Sequence, residues 1–172
     1  MIWLPFDLHP EYPEAGIPRA QLHARYGEAF HDRLRGSFAA AGLVYDPPPE
    51  VVPNTMKALR LTEHARERGL HRALHDRLMQ AYWAEARDIG DPEQLVALAL
   101  EAGLEEVEAR DVLAGDAYRD RVLASTAHAH SLGVTGVPGF LLDQRLLVLG
   151  AQPREVFERA LAQLGVEPTG DG

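Results

Sequence analysis

The stretch Gly133-Val134-Thr135-Gly136-Val137-Pro138-Gly139-Phe140-Leu141-Leu142 decides how the chain is read. Three glycines at intervals of three punctuate a turn, and the turn feeds an apolar run of strand character. A second run, Leu146-Leu147-Val148-Leu149, follows after Asp143-Gln144-Arg145, so the pair predicts a β-hairpin whose connection lacks the favoured Asn-Gly or Asp-Gly turn. Pro138 stands at the entry of this strand, where it removes a ladder donor. Two readings stand on the residues alone. The preferred one is a trans proline opening an edge strand; the other is a cis bond that turns the backbone groups of Val137 outward, where they could pair with an extended peptide.

Working outward, Pro153 opens a helix with Val156, Phe157, Ala160, Leu161 and Leu164 on one face, and residues 167–172 are expected to fray. Upstream lies a mostly helical block. Asp91-Pro92-Glu93-Gln94 is the clearest start signal, an acidic cap with proline at the first helical position, for a helix reaching Ala102. Asn54 is placed to cap a helix using Met56, Leu59 and Ala65, and Leu70, Leu74, Leu78, Ala81 and Tyr82 form the stripe of the next. Further helices are expected over residues 105–113 and 117–132. Before the block, Asp46-Pro47-Pro48-Pro49 marks a boundary, preceded by a brief extended piece at Leu43-Val44-Tyr45. Leu22, Tyr26, Phe30, Leu34 and Phe38 recur every four residues, a helical stripe that Gly27 is placed to split. Ile2, Trp3, Leu4 and Phe6 read as the end of a strand entering a proline-rich loop. The order is strand, helices, hairpin, helix: an α/β chain with a small sheet and a helical insertion.

The 172 residues carry a net charge of −9 and no cysteine. The charge disfavours nucleic acid, whose binding depends on Lys and Arg neutralising phosphates, and Lys57 is the only lysine. Zero cysteines exclude disulfides, thiolate metal sites and a cysteine nucleophile carried by these residues. No apolar run is long enough to span a bilayer, and the first ten residues lack the pattern of a signal peptide, so a cytoplasmic chain without a membrane partner is expected.

Other chemical constellations are weak. His71 and His75 have the spacing of a two-imidazole metal ligand, but Arg72 and Arg77 disfavour a cation, and a solvated helix face is the better reading; no metal site is expected. His128 and His130 point to different helix faces. Ser37, Ser125 and Ser131 sit in no nucleophile elbow, and Gly133, Gly136 and Gly139 precede a strand where a dinucleotide fingerprint would follow one. Glu105, Glu106 and Glu108 have the composition of a solvated helix start.

An ordered set of segments is more specific. Trp3-Leu4-Pro5-Phe6-Asp7-Leu8-His9-Pro10 with Pro13 and Gly16, Pro53-Asn54-Thr55, Ala81-Tyr82-Trp83, Asp88-Ile89-Gly90-Asp91, Gly133 to Phe140, and Gly150-Ala151-Gln152-Pro153 together resemble the DsbA family of thioredoxin-fold proteins, in particular its FrnE-like branch of dithiol–disulfide isomerases and oxidoreductases. The resemblance implies a thioredoxin-like core from residues 1–53 and 133–172, with residues 54–132 inserted as a helical domain. It also implies a cis Pro138, with Gly136, Val137 and Pro138 lining a groove for peptide or protein thiols, and no bound cofactor. Where the family has threonine after the proline, this sequence has Gly139, which loosens the turn.

The larger departure is at the start. Family members carry Cys-x-x-Cys at the N-terminus of the first helix, where the helix dipole favours a thiolate, and nothing here corresponds. The chain opens at what would be the family's second strand, so the favoured expectation is an FrnE-like oxidoreductase whose first strand and dithiol lie ahead of Met1. In the second reading a serine stands there, as in the related 2-hydroxychromene-2-carboxylate isomerases and kappa-class glutathione transferases, with glutathione as partner. In the third, the chain is a non-catalytic peptide-binding or dimerising module. An incomplete sheet would expose unpaired edges and promote a homodimer.

Overall fold

The computed structural model describes residues 1–46 and 49–166, and in residues 28–31 the backbone only. The Phe30 side chain, Pro47, Pro48 and the expected fraying of residues 167–172 therefore lie outside what is described. Two compact units divide the chain, Met1–Ser125 and Thr126–Gly172.

The first unit opens with a correction. Ile2 to Phe6 form no strand, and strand structure begins only at β1 (Ile17–Pro18), which pairs antiparallel with β2 (Val51–Val52). A strand needs a neighbour to take its backbone groups, and here side chains take them instead: Arg66 donates to the Trp3 carbonyl and Ser125 Oγ to the Pro5 carbonyl at 2.7 Å. Ile2 and Leu4 consequently stay exposed, whereas Pro5 and Asp7 are buried. The short β1–β2 ladder depends on Gly16, whose φ is +73° and whose missing Cβ would lie 2.4 Å from the Val52 carbonyl oxygen.

Helix α1 (Arg19–Tyr26) ends where Gly27 adopts φ +74°, and α2 (Glu28–Ala40) follows, so the glycine splits the stripe as its position suggests. Leu43 to Tyr45 are not a strand. Four helices then build the core: α3 (Met56–Glu67), α4 (His71–Ala84), α5 (Pro92–Glu101) and α6 (Glu106–Ala114). Their apolar faces meet at Leu61, Leu74, Leu95 and Leu98, all fully buried. Asp91 caps α5 through Oδ1, which accepts from the amides of Glu93 at 2.7 Å and Gln94 at 3.2 Å. The Gln94 side chain does not close the capping box; its Oε1 accepts from the Asp88 amide instead. Asn54 precedes the cap position of α3, which is Thr55, but its Oδ1 still accepts from the Met56 amide at 3.0 Å.

Arg60 is a feature the pattern conceals. It is 4% exposed, and its guanidinium donates to the carbonyls of Val112 and Gly115, and through Nε to that of Ala117 at 2.8 Å. The carbonyls at a helix C-terminus lack intrahelical donors, and Arg60 satisfies this set while joining α3 to the end of α6.

Helix α7 (Arg119–Ser131) runs across the boundary between the units. The second unit contains β3 (Gly139–Leu142) and β4 (Leu146–Leu149), an antiparallel hairpin with Phe140 opposite Val148, followed by α8 (Arg154–Gln163). Phe140 meets Phe157 of α8 edge to face at 4.9 Å, and Val148 and Ala160 are buried. The turn has Asp143 at φ +49° and Gln144 at φ +53°, with the Arg145 amide bonded to the Leu142 carbonyl at 3.0 Å. The three-residue connection Asp143-Gln144-Arg145 thus holds two left-handed residues without the glycine or asparagine that such positions favour. Among the described residues the strands form two separate two-stranded sheets.

Candidate functional site at the Val137 turn

The turn begins where α7 stops. Gly133 takes φ +89°, and the Val134 amide reaches back to the Ala129 carbonyl at 3.0 Å, closing the helix end and burying the Val134 side chain. His130 Nδ1 sits 3.0 Å from the Val134 carbonyl oxygen, so the ring donates there. Past this anchor Thr135 is exposed. Gly136 is half-buried and has open space where a Cβ would stand, while Val137 is 56% exposed.

The Val137–Pro138 peptide bond is cis. The Pro138 carbonyl accepts from the Gly150 amide at 2.8 Å, which ties the turn to the end of β4. Gly139 pairs with Leu149 in the ladder, and a Cβ on it would stand 3.1 Å from Val134 Cγ1. A side chain here would need Val134 to give way by a few tenths of an ångström. Among the described residues, neither the amide nor the carbonyl of Val137 has a hydrogen-bond partner. An exposed residue with both backbone groups free, fixed on either side by Val134 and Pro138, offers a donor and an acceptor to an extended segment laid alongside it.

The remaining candidates are accounted for differently. His71 and His75 are half-buried rather than fully solvated; their rings lie parallel at 6.0 Å, and Trp3 stacks on His75 at 4.9 Å. Burial pushes the His71 imidazole below its ordinary pKa. No group of three or more metal-ligating residues occurs among the described residues. The serine hydroxyls serve the backbone: Ser37 bonds Arg33, Ser125 bonds Pro5 and Ser131 bonds His128. Glu108 is not simply solvated, since Arg68 holds it at 2.7 Å and the buried His64 at 3.3 Å; both hold its carboxyl below the usual range, Arg68 more strongly. Asp7, next to the Pro5 anchor, is 5% exposed, and burial raises its carboxyl pKa against the lowering effect of a backbone hydrogen bond at His9. Sequence reading placed no role on Asp7 or on Tyr12. In Tyr12 the available signal was only an aromatic inside a proline-rich loop.

Comparison with known proteins gives consistent results. The family model described as DSBA-like thioredoxin domain matches residues 1–162. The crystal structure of a probable DsbA oxidoreductase from Streptomyces coelicolor superposes with a TM-score of 0.86 at 40% identity, covering 97% of this chain and 76% of that one. Among curated proteins, the uncharacterized protein YwbO of Bacillus subtilis is 26% identical over 162 residues, 93% of this chain and 80% of its own length.

Proposed function

Because this chain belongs to the DSBA-like thioredoxin domain family, we propose that it serves thiol–disulfide exchange on peptide or protein thiols, as an FrnE-like member, by docking the substrate main chain on Gly136, Val137 and Pro138. The observation that carries this reading is the pair of unpartnered backbone groups on exposed Val137. Main-chain pairing of this kind is indifferent to substrate sequence, which suits a protein acting on many thiols. The 172 residues contain no cysteine, so the sulfur atoms of the exchange come from thiols outside them. Attack by a thiolate on a disulfide needs both sulfurs held in line, and in this reading the docking turn supplies alignment and no electrons. Glutathione as a co-substrate, a homodimer, a cytoplasmic location and a helical insert over residues 54–132 belong to the same proposal.

The test is amide hydrogen exchange with and without an extended peptide whose single cysteine is carbamidomethylated. The Val137 amide should exchange at least tenfold more slowly at saturating peptide. Binding that leaves Val137 unprotected refutes the docking assignment. In parallel, the chain with dithiothreitol should reduce insulin at the background rate; acceleration would overturn the placement of the redox sulfurs outside these residues.

A further inference from the structure

In the first unit, a cleft of about 320 Å³ in front of α1 is lined by Glu11, Tyr12, Ile17, Gln21, Leu22 and Arg25. We propose that it binds a carboxylate borne on a small apolar group, with the Arg25 guanidinium and the Tyr12 hydroxyl as its donors. This inference stands apart from the thiol-exchange reading and uses no residue of the Val137 turn.

Tyr12 supplies the first observation. Its side chain is 8% exposed, and its hydroxyl is closed off from solvent without a hydrogen-bond partner. Buried polar groups in folded proteins are nearly always paired, so an orphan hydroxyl calls for a partner, and the cleft that Tyr12 lines is where one can be supplied. The ring cannot turn away easily: it stacks face to face on His9 at 4.3 Å, its amide donates to the His9 carbonyl, and its own carbonyl accepts from Asn54. A phenol is protonated at neutral pH and can donate, and burial raises its pKa further.

Arg25 supplies the second. It is exposed, with Tyr26 beneath its guanidinium at 5.5 Å, and among the described residues no carboxylate pairs with it. Arg68, Arg77, Arg110 and Arg121 are all held by carboxylates. Neither the Arg25 guanidinium nor the Tyr12 hydroxyl is hydrogen-bonded to the Glu11 carboxylate that lines the same cleft, so both donors remain for an acceptor-only ligand, and a carboxylate fits the planar guanidinium fork. Glu11, the acidic group lining the cleft, is engaged through Oε1 with His9 Nδ1 at 3.1 Å. Ile17 and Leu22 give the apolar wall on which a side chain can rest. Gln21 and Arg25, both exposed, line the cleft together with Tyr12.

The probes are N-acetyl-leucine and N-acetyl-leucinamide, titrated by NMR into the full chain. The acid should shift the amides of residues 11–25 and bind at least tenfold more tightly than the amide. Tyr12→Phe and Arg25→Gln should each weaken the acid at least fivefold. Unligated Tyr12→Phe should melt no lower than the parent, because it removes an unpaired hydroxyl and keeps the ring. Equal affinity for acid and amide overturns the proposal. So does a Tyr12→Phe variant that melts several degrees lower yet binds the acid unchanged, for the hydroxyl would then serve only the fold. N-acetyl-Gly-Gly-Leu distinguishes the ligand's source: tighter binding than N-acetyl-leucine assigns the cleft to polypeptide C-termini, and equal or weaker binding to small acids, either of which supports it.

Discussion

Replacing Arg60 by methionine tests the clamp between α3 and the end of α6. The substitution keeps most of the aliphatic stem and deletes the fork that donates to Val112, Gly115 and Ala117. Hydrogen bonds from a charged donor contribute about 1.5 kcal/mol each at the low end of the measured range, so three amount to roughly 4–5 kcal/mol. Removing a guanidinium that is 4% exposed recovers part of its desolvation, on the order of 1–2 kcal/mol once partial hydration is allowed. The net expected loss is about 3 kcal/mol, a large share of the stability of a domain this size. Urea unfolding followed by circular dichroism at 222 nm reads it directly as a lower midpoint at unchanged m-value. Arg60→Lys should recover only part of the loss, since one ammonium cannot serve three carbonyls in a fixed fork. A loss below about 1 kcal/mol for the methionine variant would mean that water already satisfies those carbonyls, and the clamp would carry no weight.

Three further outcomes follow from local geometry. Gln144→Gly should raise stability by about 0.5–1 kcal/mol, because the residue sits at φ +53° in the hairpin turn; an unchanged midpoint in urea refutes this. Gly16→Ala should lower stability by about 2 kcal/mol or more, since the added carbon would meet the Val52 carbonyl at 2.4 Å, and thermal melting checks it. The raised pKa of Asp7, due first to burial, makes its contribution complete below the unfolded carboxylate pKa of about 3.9 and progressively lost as pH rises through the folded value. Asp7→Asn should therefore gain in melting temperature relative to the parent between pH 4 and neutrality, and a constant difference across that range argues against a buried titrating carboxyl.

What could be read in advance was what local chemistry decides. The Asp91-Pro92 start, the Gly27 break and the Leu146 run each depend on neighbours in the chain, and each stands in the structure within a residue or two. The opening strand did not survive because strand formation depends on a partner alongside, and an apolar run says nothing of what pairs with it. The same limit hid β1 and β2, two residues each, whose pairing rests on Gly16 approaching Val52. Nothing in the helical pattern around Met56, Leu59 and Ala65 singles out Arg60 or Glu63; only tertiary placement shows both nearly buried. At the candidate site, the glycine spacing and Pro138 were legible, but the packing of Gly139 on Val134 and the unpartnered state of Val137 are properties of the folded turn.

Lys57 lies in a salt bridge with Glu14 at 2.6 Å, its side chain 23% exposed. As the sequence holds one lysine and no cysteine, amine-reactive reagents meet a single, partly shielded side-chain target and thiol-reactive dyes meet none. A reporter cysteine introduced at Val137 would therefore be the sole sulfhydryl among these 172 residues, and its alkylation rate would measure reactivity at that turn against a background silent within them.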